Sequence, residues 1–247
     1  MITTKYDKYL VMENESVALN VAAEDGHIDV VVRLLRENVD PAFDNNYAIR
    51  AASENGHTEV VRLLLADRRV DPSVDDNYAF KFASQNGHVD VVELLLADHR
   101  VDPSADNNYS IRFASQNGHV EVVKLLLDDD RVDPCVNNNQ IIKTASQSGH
   151  VDVVDLLLTD RRVDPSVDNN YAIGVASEIG HFAVVERLLA DRRVDPSADH
   201  NYAIRFASRN GHVEIVELLL DYYPRYVNHI SVNIVNIVNI VNSSNTI

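Results

Sequence analysis

The chain has 247 residues and a formal net charge of −16, from 22 Lys and Arg against 38 Asp and Glu. This excess of negative charge repels the phosphates of nucleic acids, so we expect no nucleic-acid partner. The one cysteine, Cys135, cannot form an internal disulfide, which is typical of a reducing compartment. No apolar run approaches the ~20 residues that cross a bilayer, and the first twenty residues carry no apolar signal segment. We therefore expect an intracellular, soluble protein without a membrane partner.

After a short N-terminal segment, a glycine-histidine pair returns along the chain at an almost fixed interval. The first step between successive pairs is shorter than the others by a single position, and all later steps are equal. The pairs are Gly26-His27, Gly56-His57, Gly87-His88, Gly118-His119, Gly149-His150, Gly180-His181 and Gly211-His212. A constant period of this length is typical of a solenoid of stacked supersecondary units. We therefore expect function on a long repeated surface rather than in one pocket.

The unit over residues 101–131, VDPSADNNYSIRFASQNGHVEVVKLLLDDDR, shows how each repeat is built. We expect Asn107 or Asn108 to cap a first helix that runs to about Gln116, because a short amide accepts from the unpaired N–H groups of a helix start. Gly118 suits the left-handed position that ends a helix. A second helix is predicted from apolar residues near the helical period, namely Val120, Val122, Val123, Leu125, Leu126 and Leu127. Pro134 then ends the unit.

Each pair of short helices has an apolar side that needs a neighbour, because ordering the backbone alone costs ~1 to 2 kcal/mol per residue. The pattern therefore predicts an all-α solenoid of about seven stacked helix-turn-helix repeats with short connecting loops. We expect a leader over residues 1–15 and an array over residues 16–226. The predicted repeats are about 16–38, 39–69, 70–100, 101–131, 132–162, 163–193 and 194–226. The first helices should line the inner, concave face and the second helices the outer face.

Residues 227–247 have a different composition, rich in Val, Ile and Asn, and include IVNIVNIVN at residues 234–242. Its triplet period matches neither a strand nor a helix. We interpret this tail as a low-complexity and mostly disordered segment. The alternative is that it covers the last repeat as a capping helix or strand.

The segment A-S-Q-N-G-H-V-E-V-V-K-L-L-L, residues 114–127, resembles the ankyrin repeat, whose unit carries A-A-x-x-G-H-x-x-V-V-x-L-L-L. Six units over about residues 39–226 match this pattern, and V-A-A-E-D-G-H-I-D-V-V-V-R-L-L at residues 21–35 gives a seventh. The resemblance implies an ankyrin-like α-solenoid that binds another protein. It also implies a set of positions that vary with the partner, which here are Asn77, Gln85, Asn86, Asn108, Gln116 and Asn117.

Two features depart from the ankyrin pattern. The family opens its first helix with T-P-L-H, whereas this chain has Y-A-I-R at residues 47–50 and Y-A-F-K at residues 78–81. The unit is also shorter than the usual length of about 33 residues, in the connection where the family projects a hairpin finger. We therefore expect recognition through the inner helices. This short-finger form is similar to ankyrin arrays of giant DNA viruses of amoebae, which would place the protein in a host cytoplasm.

Catalytic and metal sites are not indicated by the repeated residues. Histidines on successive repeats ~10 Å apart cannot share a zinc ion, so we expect each to hydrogen-bond neighbouring backbone. Ser, His and Asp recur together in every unit, and no G-x-S-x-G, phosphate loop or H-E-x-x-H occurs. Cys135 stands where other units have serine and is interpreted as a tolerated variant. We expect no enzyme activity, no metal and no cofactor.

The first helices carry three rows of residues suited to partner binding, because aromatic residues and arginine dominate binding hot spots. Six residues before the glycines stands a row of cations, namely Arg50, Lys81, Arg112, Lys143 and Arg205. Four residues after that row come Gln85, Gln116, Gln147, Glu178 and Arg209. Three residues before it come Tyr78, Tyr109 and Tyr171. The alternative interpretation is that the cations pair with Asp75, Asp106 or Asp168, or lie over neighbouring tyrosines, and stabilise the stack.

The units over residues 132–162 and 163–193, the fourth and fifth of the six that match over residues 39–226, break this uniformity and are the first places where we expect a partner. The departing residues are Gln140, Thr144, Gly174, Glu178, Ile179 and Phe182. The sequence as a whole predicts a monomeric, non-catalytic scaffold that binds a protein on the concave inner-helix face, with an acidic segment of a host or viral protein as one candidate. A structural or redundant repeat-expansion protein with no specific partner is the alternative.

Overall fold

The computed structural model describes Tyr9, Met12 and residues 14–222 of the chain. Residues 14–222 form fourteen α-helices and no β-strand, and none of these helices is long and apolar enough to cross a membrane. In chain order they are α1 (Glu15–Glu24), α2 (Ile28–Arg36), α3 (Phe43–Glu54), α4 (Thr58–Leu65), α5 (Val74–Gln85), α6 (Val89–Leu96), α7 (Ala105–Gln116), α8 (Val120–Leu127), α9 (Val136–Ser148), α10 (Val151–Thr159), α11 (Val167–Ile179), α12 (Phe182–Ala190), α13 (Ala198–Arg209) and α14 (Val213–Tyr222). The predicted tail at 227–247 lies outside the described residues, as does most of the predicted leader.

The described residues divide into two compact units. The first unit comprises residues up to 114 together with 121–133, and the second comprises residues 115–120 and those from 134 onward. In the first unit α1, α3 and α5 pack side by side, as do α2, α4 and α6. In the second unit α9, α11 and α13 form one layer, and α10, α12 and α14 form the other. The predicted all-α repeat solenoid is confirmed.

The second helices bury one apolar side, and the first helices bury both large apolar residues and alanines. In α8, Val122, Val123 and Leu126 are fully buried, whereas the charged residues on the other side of the helix are exposed. In α7, Ile111 and Ala114 are fully buried. Burying each Val, Leu or Ile side chain stabilises the fold by roughly 1.5–3 kcal/mol, and only neighbouring helix pairs can supply this burial.

The glycines of the Gly-His pairs end the first helices. Gly118 and Gly149 have φ of +79° and +78°, as predicted. At Gly149 the backbone N–H of His150 donates to Ala145 O at 3.1 Å, and the N–H of Gly149 donates to Ser146 O at 3.3 Å. These two bonds pair carbonyls at the end of α9 that would otherwise have no helical partner.

The starts of the first helices differ from the prediction that Asn107 or Asn108 caps α7. Asp106, Asn107 and Asn108 instead form a left-handed turn, with φ of 53°, 54° and 55°. The side chain of Asn108 does not accept from its own helix. Its Oδ1 accepts from the backbone N–H of Asp133 at 2.8 Å, in the following connection. Asp and Asn tolerate this backbone region better than other non-glycine residues, which explains their presence here.

A residue in the predicted leader packs on the first repeat. Tyr9 is buried, its hydroxyl donates to Asp25, and its ring meets the ring of His27 edge-on at 5.6 Å between centroids. Tyr9 therefore covers part of the first repeat.

Candidate functional site

The cations at the six-before-glycine position differ in exposure along the chain. Lys81 and Lys143 are buried, with only 9% and 8% of their surface exposed. Arg50 and Arg112 are half-buried, and Arg205 is exposed. The sequence alone places all five at equivalent positions, so this difference comes from what each one contacts.

Three of the cations form ion pairs with the next repeat. Lys143 Nζ lies 2.6 Å from Asp168 Oδ2. Arg50 reaches Asp75 at 3.3 Å and Lys81 reaches Asp106 at 3.6 Å. Each acceptor stands at the first position of the next left-handed turn, at one constant sequence distance from its cation. These three aspartates are the pairing partners considered in the alternative interpretation.

Two of these cations, Arg50 and Lys81, also contact aromatic rings. The Arg50 guanidinium carbon lies 5.3 Å from the ring centroid of Tyr78, and Lys81 Nζ lies 5.5 Å from that of Tyr109. In both cases the tyrosine belongs to the next repeat. Such contacts contribute about 0.5–1 kcal/mol at exposed sites and more when water is excluded. The cation therefore joins two neighbouring first helices through a carboxylate and a ring.

The arginines of the row also bond to carbonyl groups of the left-handed turns. Arg50 Nε donates to Asn45 O at 3.0 Å, and Arg112 Nε donates to Asn107 O at 3.0 Å. A charged donor bonded to the carbonyls of a left-handed turn stabilises that turn.

The tyrosine row bonds to the preceding repeat. Tyr78 donates its hydroxyl to Glu54 at 2.8 Å, Tyr109 donates to Gln85, and Tyr202 donates to Glu178. Burial and then the bond to Glu54 raise the pKa of Tyr78 to about 12. The bond to Glu178 and then burial raise the pKa of Tyr202 to about 12. Tyr171 departs from this arrangement, because 45% of its surface is exposed.

The third row splits between bonded and exposed members. Gln85 and Glu178 accept from tyrosines, as described, and are half-buried. The side chains of Gln116, Gln147 and Arg209 are exposed. The exposed members of the predicted site are therefore concentrated in the second unit, and they are Gln116, Gln147, Tyr171, Arg205 and Arg209.

The chain matches the family described as ankyrin repeats (3 copies) over residues 19–108, 80–169 and 145–235. These matches span most of the sequence and coincide with the stacked helix pairs. The chain belongs to the ankyrin-repeat family. A search of curated proteins gave no match. Ankyrin repeats are generally protein–protein interaction modules, and the family therefore implies a protein partner. Proteins of this family are typically non-catalytic.

As predicted, histidines of the ankyrin units bond to backbone, and this is seen at His57, His88, His150, His181 and His212. His57 Nε2 donates to Glu24 O at 2.9 Å, and His150 Nε2 donates to Gln116 O at 2.8 Å. A carbonyl oxygen can only accept, so Nε2 carries the proton. The same rings lie against the glycine of the preceding repeat, where an added Cβ would sit 2.5–2.8 Å from the nearest ring atoms. Within the described residues no group of three or more His, Cys, Asp or Glu side chains is arranged to hold a metal ion.

Sequence reasoning missed a row of asparagines that joins neighbouring ankyrin units. In each case Oδ1 accepts at 2.8 Å from the backbone N–H of the aspartate that opens the next connection. The asparagines are Asn46, Asn77, Asn108, Asn139 and Asn170. Asn77 and Asn108, implied by the resemblance to vary with the partner, are buried and thus unavailable for contact. The signal was the recurrence of one amide immediately before Tyr47, Tyr78, Tyr109 and Tyr171, and before Gln140 in the remaining unit.

A second missed row lies in the connections between helix pairs. There, an arginine two residues after an aspartate bonds to that aspartate and to a backbone carbonyl of the preceding connection. Arg100 bonds to Asp98 at 2.6 Å and donates to Val70 O at 2.7 Å, and Arg193 repeats this with Asp191 and Val163. The side-chain bonds from arginine lower the pKa of Asp98 and Asp191. The repeated D-x-R before V-D-P was the available signal.

The ankyrin units of α11 and α13 leave a cleft of about 210 Å³ at the position of Gly174. Its lining includes Asp168, Tyr171, Asp199 and Tyr202. Two large apolar side chains of the same unit are also exposed, Ile179 by 44% and Phe182 by 38%. The predicted departures from uniformity in the repeat over residues 163–193 thus coincide with open surface.

Proposed function

We propose that this chain is a non-catalytic scaffold that binds another polypeptide on the surface of its first helices, centred on the second unit. The observation that carries the proposal is the exposure of Tyr171, Arg205 and Arg209 on neighbouring first helices, where equivalent residues of the first unit are bonded internally. Exposed aromatic and arginine side chains are the residue types that dominate protein interfaces.

An acidic segment of the partner is proposed to dock at Arg205 and Arg209. Neither arginine forms an ion pair within the described residues. Arg205 makes a long bond of 3.5 Å to the backbone carbonyl of Asp199. The two guanidinium carbons lie 5.6 Å and 5.9 Å from the ring centroid of Phe206, which supports both side chains. A carboxylate or phosphate between two such arginines would gain charge-assisted hydrogen bonds.

The other residues of the proposed site act as supports. Lys81 and Lys143 hold neighbouring first helices together, and Arg50, Arg112, Gln85, Glu178, Tyr78 and Tyr109 form the bonds described above. The resemblance to giant-virus arrays favours a host or viral protein as partner and a host cytoplasm as location, with this chain acting as a monomer. The uniform internal pairing in the first unit supports the alternative of a redundant expansion product with no specific partner.

A charge-reversal experiment tests the proposal. Tagged full-length chain and the variant Arg205→Glu/Arg209→Glu would be used for capture from an extract of the cell that expresses the protein, with quantitative mass spectrometry. We expect capture of a specific partner to fall at least tenfold, since attraction becomes repulsion. Capture should also fall as salt rises, because exposed charges are screened beyond about 8 Å at physiological ionic strength.

The matched control is Arg161→Glu/Arg192→Glu, which makes the same change in net charge at exposed arginines of the connections. This control should retain capture. Equal loss in both variants would show a general charge effect, and no specific partner in any sample would favour the redundant-expansion alternative.

A further inference from the structure

The cation row and the left-handed turns form a regular series of pairs. A cation of one repeat meets the first aspartate of the next left-handed turn in three cases, Arg50 with Asp75, Lys81 with Asp106 and Lys143 with Asp168. In the first two, the cation also lies 5.3 Å and 5.5 Å from the ring of the tyrosine that follows that aspartate. Each such position is therefore a small binding site for a basic side chain, filled from within the chain.

The series is interrupted in α11, where the residue at the cation position is Gly174. The acceptor at the same spacing, Asp199, is exposed and forms no ion pair within the described residues. The ring that would lie beside the cation is also present, because Tyr202 Cδ1 lies 3.1 Å from where a Cβ of Gly174 would stand. The carboxylate and the ring remain, and the cation between them is missing.

The space left open is the cleft of about 210 Å³ between α11 and α13. Asp168 on its wall is already bonded to Lys143 at 2.6 Å and to Asn138 at 2.7 Å. Asp195, also on the wall, accepts from the backbone N–H and the hydroxyl of Ser197 at 2.9 Å and 2.7 Å. Asp199 is therefore the carboxylate available to a ligand, flanked by the rings of Tyr171 and Tyr202. One carboxylate and two aromatic rings suit an organic cation, whereas a hard metal ion needs six or more oxygen ligands.

We propose that this cleft binds an arginine or lysine side chain of the partner polypeptide, in place of the cation that Gly174 omits. The proposal deepens the proposed function and rests on it, since it assumes a polypeptide on the surface of the first helices. The net charge of −16 adds a long-range attraction for basic segments.

The geometry of α13 also specifies the order of charges in the partner. Tyr202 at the cleft and Arg209 lie seven residues apart on this helix, which is about 10 Å along its axis. An extended segment spans this distance in about three residues, at roughly 3.2–3.4 Å each. The partner segment should therefore carry a basic residue for the cleft and an acidic residue about three positions away for Arg205 and Arg209.

The test uses isotope-labelled full-length chain and a capped peptide, acetyl-Gly-Arg-Gly-amide, followed by chemical-shift titration. We expect shifts at Gly174 and Tyr202, and weaker shifts elsewhere. The peptide with citrulline in place of arginine, which has nearly the same shape and no charge, should bind at least tenfold more weakly. A lysine peptide is expected to bind at the same place.

Variants separate the cleft from general attraction to an acidic protein. Asp199→Asn should weaken binding of the arginine peptide at least tenfold, whereas Asp75→Asn, at an equivalent carboxylate already paired with Arg50, should leave it unchanged. Gly174→Lys should block the cleft and remove binding. If that variant fails to fold, the Asp199→Asn comparison decides.

Equal binding of the citrulline peptide, or equal loss in Asp199→Asn and Asp75→Asn, would overturn the proposal. This outcome is distinct from failure of the proposed function, which is measured by capture of a polypeptide in the Arg205 and Arg209 experiment. If the partner is still captured but the arginine peptide does not bind, the scaffold role stands. The partner then places no basic side chain in the cleft.

Discussion

The two units differ in how completely their neighbouring first helices are joined. In the first unit, Arg50 and Lys81 each reach an aspartate of the next repeat, and Tyr78 and Tyr109 each bond to the repeat before. In the second unit, Gly174 removes one cation. Tyr171 lies exposed there and makes no such bond within the described residues. The contacts that change between the units are the ones at the surface.

The contacts that both units keep involve buried or half-buried side chains. Every described asparagine of the row holds the next connection, and the histidine rings lie against glycines in both units. Stacking therefore depends on contacts that exclude water, where an unpaired group costs most. The surface rows can vary without unfolding the stack, and this freedom is what allows one unit to acquire a binding site.

Breaking the glycine–histidine contact that both units share should have the largest effect. An added Cβ at Gly56 would lie 2.5 Å from His88 Nδ1, and one at Gly149 would lie 2.7 Å from His181 Cε1. We expect Gly56→Ala and Gly149→Ala each to lower the free energy of unfolding by about 2–4 kcal/mol, because left-handed strain of ~1–2 kcal/mol adds to the displacement of the ring. Urea denaturation followed by circular dichroism measures the change.

Gly211 provides the control for the ring contact. Its φ is +80°, but no atom of the residues that the structure describes lies within 4 Å of its added Cβ. Gly211→Ala should therefore cost only the strain, about 1–2 kcal/mol. Losses of the same size at Gly149 and Gly211 would mean that the histidine moves away at no cost and does not hold the stack.

The shared asparagines should come next in size. Asn77 in the first unit and Asn139 in the second accept from Asp102 and Asp164. Replacing either by Gly keeps the left-handed backbone but leaves a backbone N–H unpaired, which should cost about 1–3 kcal/mol in both units. Asn45→Gly, at an exposed left-handed position, should change stability by less than about 0.5 kcal/mol. A similarly small change in stability at Asn77 would show that the asparagines do not stabilise the stacking of neighbouring repeats.

Alkaline pH should weaken both units through the bonded tyrosines. The pKa of Tyr78 and of Tyr202 is raised from 10.0 to about 12. A raised pKa means that the folded state keeps the proton longer, so this stability is present below pH 10 and is lost between pH 10 and pH 12. Urea midpoints measured across this range should decline, and less steeply in Tyr78→Phe and Tyr202→Phe. If the decline of the urea midpoint with pH is unchanged in both variants, the loss of stability does not come from these two tyrosines.

Much of the fold could be predicted from the sequence, because it depends on local signals. Gly118 and Gly149 indicate the turn by themselves, and the apolar period of α8 fixes its buried side. The start of α7 could not be predicted in the same way. Asn108 was assigned to its own helix, whereas its amide bonds to Asp133 in the next connection, and a single unit read alone does not contain that partner.

The candidate site depends on the same kind of missing information. Residue type places Lys81 and Arg205 in one row, but exposure depends on whether the next repeat brings an aspartate and a ring to each cation. That requires the register between repeats, which only the stacked structure provides. The sequence shows that Gly174 replaces a cation of the row. That Asp199 thereby lacks an ion-pair partner became clear only from the constant cation-to-aspartate spacing in the other repeats.

The smallest effect should come from restoring the missing cation. Gly174→Lys places an ammonium near Asp199, but it also adds helix propensity and crowds Tyr202. Gly174→Met makes the same backbone change with no charge and is the matched control. We expect the lysine variant to be more stable than the methionine variant by about 0.5 kcal/mol at low salt, as for an exposed ion pair.

Salt and a double-mutant cycle show whether the pair causes this difference. At about 1 M salt, where charges are screened beyond about 3 Å, the advantage of lysine over methionine should vanish. It should also vanish in an Asp199→Asn background, since the acceptor is then neutral. If lysine stays more stabilising than methionine under both conditions, the difference comes from side-chain packing. Gly174 would then be a local sequence difference and not a missing member of the cation series.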